Sequence, residues 1–197
     1  MQKVDIIVIV DYSNSDYILK EKLMEKKLLL LGLLLSHGMH GYQLNEMLHQ
    51  NPGIPISLKK SNAYKLLSDM ERDGWVTHTQ EQEGNRPPRR VYSVTKAGEA
   101  VFYQLLRENL SSFPAPEFPS LVGLDFIYHL PAEEAISLLK ERRTLVSEKF
   151  QQIDALSAEI RQSHLTTEYL HQFYIREIEW LDGIIEHLQT ASQESND

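Results

Sequence analysis

The chain of 197 residues contains no cysteine. Disulfide bonds and thiolate metal sites are therefore excluded, and the cytoplasm is the expected location. Long hydrophobic runs are also missing, because the stretch Leu28 to Leu35 has eight residues whereas a bilayer-spanning helix needs about 20. The short run Ile6 to Val10 follows Asp5 and lacks a cleavage site. We expect neither a signal peptide nor a membrane anchor.

Motifs that mark enzymes are likewise absent. The sequence has no Gly-x-Ser-x-Gly elbow, no phosphate-binding loop and no glycine-rich dinucleotide fingerprint. Glu133 and Glu134 fall at a predicted helix start, where acids favour the dipole rather than acid–base chemistry. His37 and His40 flank a turn, and without cysteine such a pair is a structural feature rather than a metal site. We expect no catalytic residue, no cofactor and no metal.

The charge of the chain is unevenly distributed. The net charge is −8, which argues against nucleic acid as a partner when averaged over the molecule. From Ser57 to Lys96, however, the chain has eight lysines and arginines and only five acids. From Pro131 to the end it has six lysines and arginines and thirteen acids. The sequence therefore has a basic window in an acidic molecule, which indicates either a solvated surface or a binding site for an anionic partner.

Residues 25–110 show the pattern of a small helical domain with a hairpin. Helices are predicted over 25–36, over 42–49 and from about Ser57 or Lys60 to Asp73. Strands are predicted over 75–80 and 90–94, joined by a long tip rich in turn formers. Thr95 can cap a further helix that runs to about Leu110. This order of elements is typical of a winged helix-turn-helix, in which one helix enters the major groove of DNA.

The third helix has a packing face and a polar face. Ala63, Leu66, Leu67 and Met70 recur at helical spacing, so the remaining side chains are available to a partner. Asn62 can pair with adenine in a bidentate way. The candidate DNA-binding residues on and before this helix are Lys59, Lys60, Ser61, Asn62, Tyr64 and Lys65, and those of the hairpin are Arg86, Arg89 and Arg90. Two alternatives stay open: Ser61 and Asn62 could only cap the helix, and Tyr64 could belong to the core.

The second half of the chain is predicted to be helical. Three prolines within Ser111 to Pro119 indicate an extended linker. After it, helices are predicted over 121–128, from Pro131 to about Ser163, and over 167–189. Apolar positions recur at spacings of four and three along the last two, and Arg142 and Lys149 interrupt this seam, where they could bind acids such as Glu177. The seam residues expected to meet a second copy are Leu139, Val146, Ile153, Leu170, Tyr174, Ile178, Leu181, Ile185 and Leu188.

Several short motifs resemble those of the PadR family of transcriptional regulators. They are Leu31-Gly32-Leu33-Leu34, His40-Gly41-Tyr42-Gln43-Leu44, Asn62-Ala63-Tyr64, Glu71-Arg72-Asp73-Gly74-Trp75-Val76 and Pro87-Pro88-Arg89-Arg90-Val91-Tyr92 with Ser93-Val94-Thr95-Lys96-Ala97-Gly98. The resemblance covers about residues 25–110. The helical half, including Glu179-Trp180-Leu181, resembles the C-terminal domain of the larger subfamily and its virulence-activator branch. The chain departs from the family at Lys65, where proline often follows the tyrosine.

The resemblance implies a homodimer that binds double-stranded operator DNA and represses, or less often activates, a nearby promoter. By position, Tyr42, Ser61, Asn62, Tyr64 and Lys65 would face DNA. Such regulators respond to small aromatic compounds or drugs, or to none. Candidate residues for an effector pocket are Phe126, Phe173, Tyr174 and Trp180, although aromatic residues at helical spacing also pack as core.

The expected fold is mostly α with a small β-hairpin: a winged helix-turn-helix followed by a helical dimerisation domain. The predicted parts are an N-terminal extension over 1–23, a DNA-binding domain over 24–110, a linker over 111–120, a dimerisation domain over 121–190 and a tail over 191–197. The extension is either an artefact of start assignment or an added element. The expected function is sequence-specific repression from a palindromic operator, and the alternative is a protein-interaction adaptor without specific DNA binding.

Overall fold

The computed structural model describes residues 15–37, 44, 47–48, 51–82, 89–113 and 116–194. Contacts divide the chain into two compact units. The first comprises the described residues of Met1–Met47 and Leu58–Phe113, and the second those of Leu48–Ser57 and Pro114–Asp197. The segment Leu48–Ser57 lies inside the predicted DNA-binding domain along the sequence, yet its contacts are with the second unit.

The first unit begins with helix α1, Ser15–His37. The helix starts ten residues earlier than the expected Glu25, so it includes the end of the predicted extension. Its buried residues are Lys27, Leu30, Leu31 and Leu34, and their spacing of three, one and three places them on one helical face. At Gly32 an added Cβ would lie 3.3 Å from the ring of Phe102, so a residue without a side chain permits this close approach.

Helix α2, Lys60–Arg72, buries the four residues expected from its periodicity: Ala63, Leu66, Leu67 and Met70. The chain then reverses at Gly74, whose φ of +75° favours glycine. The amide of Trp75 donates to the carbonyl of Met70 at 2.8 Å, which satisfies an acceptor that the helix leaves open at its end.

A two-stranded antiparallel sheet follows, formed by β1, Val76–Glu81, and β2, Arg89–Val94. Val76 pairs with Val94, His78 with Tyr92, and Glu81 with Arg89. Val76 and Tyr92 are each 2% exposed and anchor the hairpin in the core. Helix α3, Lys96–Ser111, comes next, and the hydroxyl of Thr95 accepts a hydrogen bond from the Gly98 amide at 3.0 Å. The predicted cap is confirmed.

Lys27 is a buried cation in the first unit, with 7% of the residue exposed. Its ammonium lies 3.7 Å from the Asp73 carboxylate and 4.5 Å from the centre of the Trp75 ring. Both partners follow α2 directly. A carboxylate and an aromatic face together replace the water that the ammonium loses on burial, and Lys27 thereby fixes α1 against the end of α2.

The second unit contains a 3-10 helix, Pro119–His129, and three α-helices: α4, Ala132–Asp154; α5, Ala158–Ser163; and α6, Leu165–Glu194. The expected helix over 121–128 is therefore a 3-10 helix. The hydrophobic core of the second unit lies between α4 and α6. Its buried residues are Ala135, Leu139, Leu181, Ile185 and Leu188. None of the helices in the described ranges has the length and apolar character needed to cross a bilayer.

The expectation of one continuous helix to Ser163 was wrong, because α4 ends at Asp154. The guanidinium of Arg161 donates to the carbonyls of Asp154 and Leu156 at 2.6 and 2.7 Å, and these bonds satisfy acceptors near the helix end. The hydroxyl of Ser157 then accepts from the Ile160 amide at 3.3 Å and caps α5. Ile160, which continues the spacing of four and three along the sequence, lies on α5 instead and is 47% exposed.

The segment Leu48–Ser57 packs against two helices of the second unit. The Asn51 side chain accepts a hydrogen bond from the Gly53 amide at 2.9 Å and closes a short turn. A Cβ added to Gly53 would lie 2.5 Å from the hydroxyl of Thr167. Thr167 is 5% exposed, so the turn lies tightly against the start of α6. The cavity beside it is lined by Leu48, Asn51, Pro52, Ile54, Pro55, Ile56, Ser57, Lys149, Gln152, Ile153, Leu156 and Tyr174.

Candidate nucleic-acid interface

The start of α2 presents the predicted polar residues to solvent. Lys59, Lys60, Ser61, Asn62, Tyr64 and Lys65 are all exposed. Residues three and four apart are neighbours on a helix surface, so Lys65 lies beside both Ser61 and Asn62. Tyr64 is 37% exposed and is not a core residue. One helical surface therefore carries amide, hydroxyl and ammonium donors, while the opposite surface packs inward.

The cap position does not use the polar side chains. Lys59 is the N-cap residue and makes no side-chain capping hydrogen bond, and the first turn contains no acid. The alternative in which Ser61 and Asn62 serve as caps is therefore not realised. The amides at a helix start carry a partial positive charge and bind phosphate groups, and here two lysines add to that charge.

The hairpin presents Arg89 and Arg90 to solvent at the start of β2. Since adjacent residues of a strand point to opposite faces, the two arginines do not share a surface. Arg89 lies across the strand pair from Glu81, and Arg90 lies across from Gln80. This alternation separates an arginine beside a carboxylate from one beside a neutral amide. Tyr42 and Arg86, also predicted to contact DNA, lie outside the described residues.

Arg72, another cation of the basic window, forms ion pairs with acids of its own chain. The guanidinium of Arg72 lies 3.0 Å from the Asp69 carboxylate and 3.9 Å from that of Asp73. These contacts reduce the charge that Arg72 can offer to a phosphate. The start of α2, which has no acid in its first turn, is thus a stronger candidate for phosphate binding than its end.

Two contacts that hold α2 in place were not predicted. His78 on β1 and Glu71 on α2 meet with Nδ1 and Oε1 2.6 Å apart, and Lys27 contacts Asp73 and Trp75 as described above. Sequence spacing gives no signal for the first pair, because its members belong to a helix and a strand. For Lys27 a signal exists: a lysine falls on the apolar face of α1.

The predicted seam residues lie inside a single chain. Leu139, Ile153, Leu181, Ile185 and Leu188 are buried, while Val146, Leu170, Tyr174 and Ile178 are half-buried. The proposed ion pair between Arg142 and Glu177 is present, with 2.5 Å between the atoms, and joins α4 to α6 of the same chain. The periodicity thus describes packing between two helices of one molecule. Other apolar residues of α4 and α6 remain exposed: Leu138, Leu145, Leu165, Tyr169, Phe173 and Trp180.

The four aromatic residues predicted to line an effector pocket do not form one site. Trp180 lines a groove of about 430 Å³ together with Leu124, Ile127, Tyr128 and Ile184 among others. Tyr174 lines the larger cavity beside Leu48–Ser57, of about 640 Å³. Neither cavity includes Phe126, which is 59% exposed, or Phe173.

Within the described ranges, no group of three or more histidines, cysteines or acids is placed to hold a metal ion. His40, half of the histidine pair noted in the sequence, lies outside those ranges.

The chain has recognisable relatives among solved structures. Bacillus subtilis PadR in complex with operator DNA shares 20% identity at a TM-score of 0.68, over 82% of this chain and 98% of that one. The same protein in complex with p-coumaric acid shares 19% identity with this chain at a TM-score of 0.62, and the match covers 83% of this chain and 98% of that one. The Vibrio cholerae virulence activator AphA shares 21% identity at a TM-score of 0.63, and the match covers 84% of this chain and 99% of that one. These likenesses show a common winged-helix fold. No curated protein sequence matches the chain.

Family comparison agrees with the fold along most of the chain. Residues 119–189 match the C-terminal domain described as virulence activator alpha. Residues 30–104, which include α2 and both strands, match the transcriptional regulator PadR-like family. The predicted fold class is confirmed, and the relatives are transcription regulators rather than enzymes. The chain therefore combines a domain of the PadR-like transcriptional regulator family with a virulence-activator C-terminal domain.

Proposed function

We propose that this regulator is a sequence-specific repressor that binds a palindromic operator as a homodimer. Residues 24–110 form the DNA-binding domain, and residues 121–190 form the dimerisation domain. The observation that carries the proposal is the start of α2, where three lysines and two small polar side chains share an exposed surface with no acid in the first turn. An adaptor that binds protein through this surface has no need of such a concentration of cations.

Each residue of this surface has a role in the proposal. Lys59 and Lys60 bind phosphates at the helix start, where the dipole adds to their attraction. Asn62 and Lys65 reach base edges in the major groove, with Asn62 suited to adenine and Lys65 to guanine. Arg90 binds the flanking backbone from the hairpin. Further candidates for DNA contacts are Tyr42, from the family resemblance, and Arg86, a cation of the predicted hairpin tip. B. subtilis PadR, which shares this fold, has been solved in complex with operator DNA, and this supports DNA as the partner.

Dimerisation uses exposed residues of the second unit in this proposal. Leu138 and Leu145 are 48% and 64% exposed and lie seven residues apart on α4. Tyr169, Phe173 and Trp180 are 71%, 42% and 41% exposed, at spacings of four and seven on α6. Such stripes are typical of helices that pack against another molecule. In this proposal the homodimer presents two α2 helices to successive half-sites, which lie about 34 to 36 Å apart along the duplex.

We further propose that a small aromatic acid releases the repressor from DNA. The cavity of about 640 Å³ has the required chemistry, since Lys149 supplies a cation for a carboxylate and Tyr174, Ile153 and Leu156 supply apolar walls. B. subtilis PadR has been solved with p-coumaric acid, which supports this class of effector. Regulation of this kind takes place in the cytoplasm, where we place the protein.

The test is fluorescence anisotropy with a duplex from the region upstream of the chain's own gene and with a scrambled duplex, over a series of salt concentrations. We expect selective binding that weakens with salt. The variant Lys59→Ala/Lys60→Ala/Lys65→Ala should bind more weakly, with a slope of log K against log salt that is shallower by about one per lost phosphate contact.

The matched control removes three cations from the second unit, Lys140→Ala/Lys149→Ala/Arg176→Ala, and leaves this slope unchanged. Equal affinity for both duplexes, or equal slopes for the two triple variants, would exclude specific operator binding through α2.

A further inference from the structure

The end of α2 and the first strand of the hairpin are joined by one polar contact between side chains. His78 Nδ1 and Glu71 Oε1 lie 2.6 Å apart. The side chains are 24% and 31% exposed, so both are largely shielded from water. Glu71 belongs to the last turn of α2, the helix that carries the proposed DNA-reading residues, and His78 belongs to the hairpin that carries Arg89 and Arg90.

The His78 ring is held from a second side. Its centre lies 5.7 Å from that of Tyr92, at 47° between the planes. Tyr92 is the cross-strand partner of His78 and is 2% exposed. Because strand residues two apart share a face, Val76, His78 and Gln80 line one face with Val94, Tyr92 and Arg90. His78 therefore lies between the buried base of the hairpin and Arg90.

The charged groups around this histidine lie on α2 and β2. Glu71 lies in the last turn of α2, where the helix dipole presents partial negative charge. The other acids of that end have their own cations, since Asp69 pairs with Arg72 and Asp73 with Lys27. From β2 the titratable or charged groups on the same face are Tyr92 and Arg90, and Arg90 is two pairs further along the hairpin. Glu71 is thus the anion in contact with His78.

We propose that His78 and Glu71 are positioning residues that fix the hairpin on the DNA-reading helix, and that protonation of His78 tightens this contact and raises operator affinity. The inference rests on the proposed operator binding. Protonation gives the His78 ring a positive charge, and a charged donor binds the Glu71 carboxylate more strongly than a neutral donor does. When the contact is lost, the hairpin populates orientations that do not bind, and the apparent affinity falls by the fraction of molecules that remain competent.

The experiment measures operator affinity by anisotropy at pH 6.0 and pH 8.0, on either side of the range in which histidines titrate. The proteins are wild type, His78→Gln, Glu71→Gln and the double variant. For the wild type we expect affinity to fall about fivefold more between the two pH values than for any variant, because only the wild type can lose an ion pair at this contact when the pH rises. The double variant should bind as weakly as either single one, because both single changes remove the same contact.

His129→Gln, a change in the 3-10 helix, controls for the other histidines and should keep the wild-type ratio. Thermal unfolding of each variant separates a loss of positioning from a loss of folded protein, since a merely structural role changes stability without changing the pH ratio. An unchanged ratio in His78→Gln, or additive losses in the double variant, would overturn this inference alone. Failure of the wild type to bind any duplex at either pH would overturn the proposed function, and this inference with it.

Discussion

The guanidinium of Arg142 on α4 donates a hydrogen bond to the carboxylate of Glu177 on α6, at 2.5 Å. The same guanidinium donates to the carbonyl of Ser120 at 2.8 Å and lies 5.9 Å from the centre of the Trp180 ring. Arg142 therefore joins the 3-10 helix, α4 and α6. Its side chain is 23% exposed and that of Glu177 is 19% exposed, so the pair is mostly shielded from solvent.

Replacing Arg142 is expected to destabilise the second unit. Arg142→Ala leaves the Glu177 carboxylate and the Ser120 carbonyl without this donor, which costs about 2 to 3 kcal/mol of unfolding free energy. Arg176→Ala is the control, since the Arg176 and Glu179 side chains are 80% and 59% exposed and such pairs contribute at most about 1 kcal/mol. Urea unfolding measures both values. Equal losses would contradict the bridging role of Arg142.

Two glycines are expected to respond to alanine in opposite directions. At Gly98 a Cβ would lie 1.9 Å from the Trp75 carbonyl oxygen, so Gly98→Ala forces α3 away from the hairpin and costs about 3 kcal/mol. At Gly183, within α6, no atom lies within 4 Å of the added carbon. Gly183→Ala should stabilise the protein by about 0.5 to 1 kcal/mol through helix propensity. Thermal unfolding checks both, and a stable Gly98→Ala variant would show that the contact is not rigid.

The carboxylate of Glu81 is expected to weaken DNA binding by Arg89. The two residues are cross-strand partners on the same face of the hairpin, where opposite charges attract. Glu81→Gln should therefore raise operator affinity about twofold, the size of a typical cross-strand charge interaction. In an Arg89→Ala background the same change should have little effect. Anisotropy of the four proteins measures the coupling, and a gain that persists without Arg89 would point to long-range repulsion instead.

Acid should remove the contribution of Asp182. Two hydrogen bonds from the Arg143 guanidinium reach its carboxylate, and they lower the pKa of Asp182 below its usual value. A lowered pKa adds stability above the ordinary aspartate range, and this stability is lost as the pH falls through the lowered value, below about pH 4. Melting temperatures from pH 7 to pH 3 should show Asp182→Asn and Arg143→Gln less stable than wild type at neutral pH, with the difference closing in acid. A constant difference would refute this linkage.

A charge in the exposed stripe of α4 should separate the proposed dimer. Leu145 is 64% exposed, so Leu145→Asp leaves the single chain folded but places a carboxylate where a second copy would pack. Sedimentation velocity should then report a monomer. Leu110 on α3 is 77% exposed, and Leu110→Asp, a change of the same kind outside the stripe, should leave the dimer intact. A dimeric Leu145→Asp variant would move the interface elsewhere.

Local patterns were sufficient to predict most elements of the first unit. The packed face of α2, the two strands and the Thr95 cap each depend on residues within a few positions of one another, so spacing and turn chemistry identify them. The end of α4 was not predictable in this way. No proline or glycine marks it, and the break depends on Arg161, which reaches back to carbonyls five and seven residues earlier.

In the candidate site, too, features set by neighbouring residues could be predicted, whereas contacts between distant elements could not. Exposure of the polar residues at the start of α2 follows from helical periodicity and could be predicted. The contact of His78 with Glu71 could not, because it depends on how a strand lies against a helix. Periodicity also predicted that Arg142 meets Glu177 but not that both belong to one chain, since an apolar stripe carries no information about which molecule covers it. Aromatic residues at helical spacing likewise did not reveal that Tyr174 and Trp180 line different cavities.

The turn formed by Asn51 and Gly53 belongs to a segment that the sequence places in the predicted DNA-binding domain but that packs in the second unit. Leu48–Ser57 packs with the second unit, yet Leu58 and the start of α2 follow it directly. A single proteolytic cut after Phe113 would therefore not yield two self-sufficient pieces, because the N-terminal fragment would carry a loop that has lost its packing surface. For the same reason, a chimera that exchanges only the C-terminal half with a relative would separate Gly53 from the Thr167 against which it packs. The segment and the helices beneath it therefore have to be exchanged together.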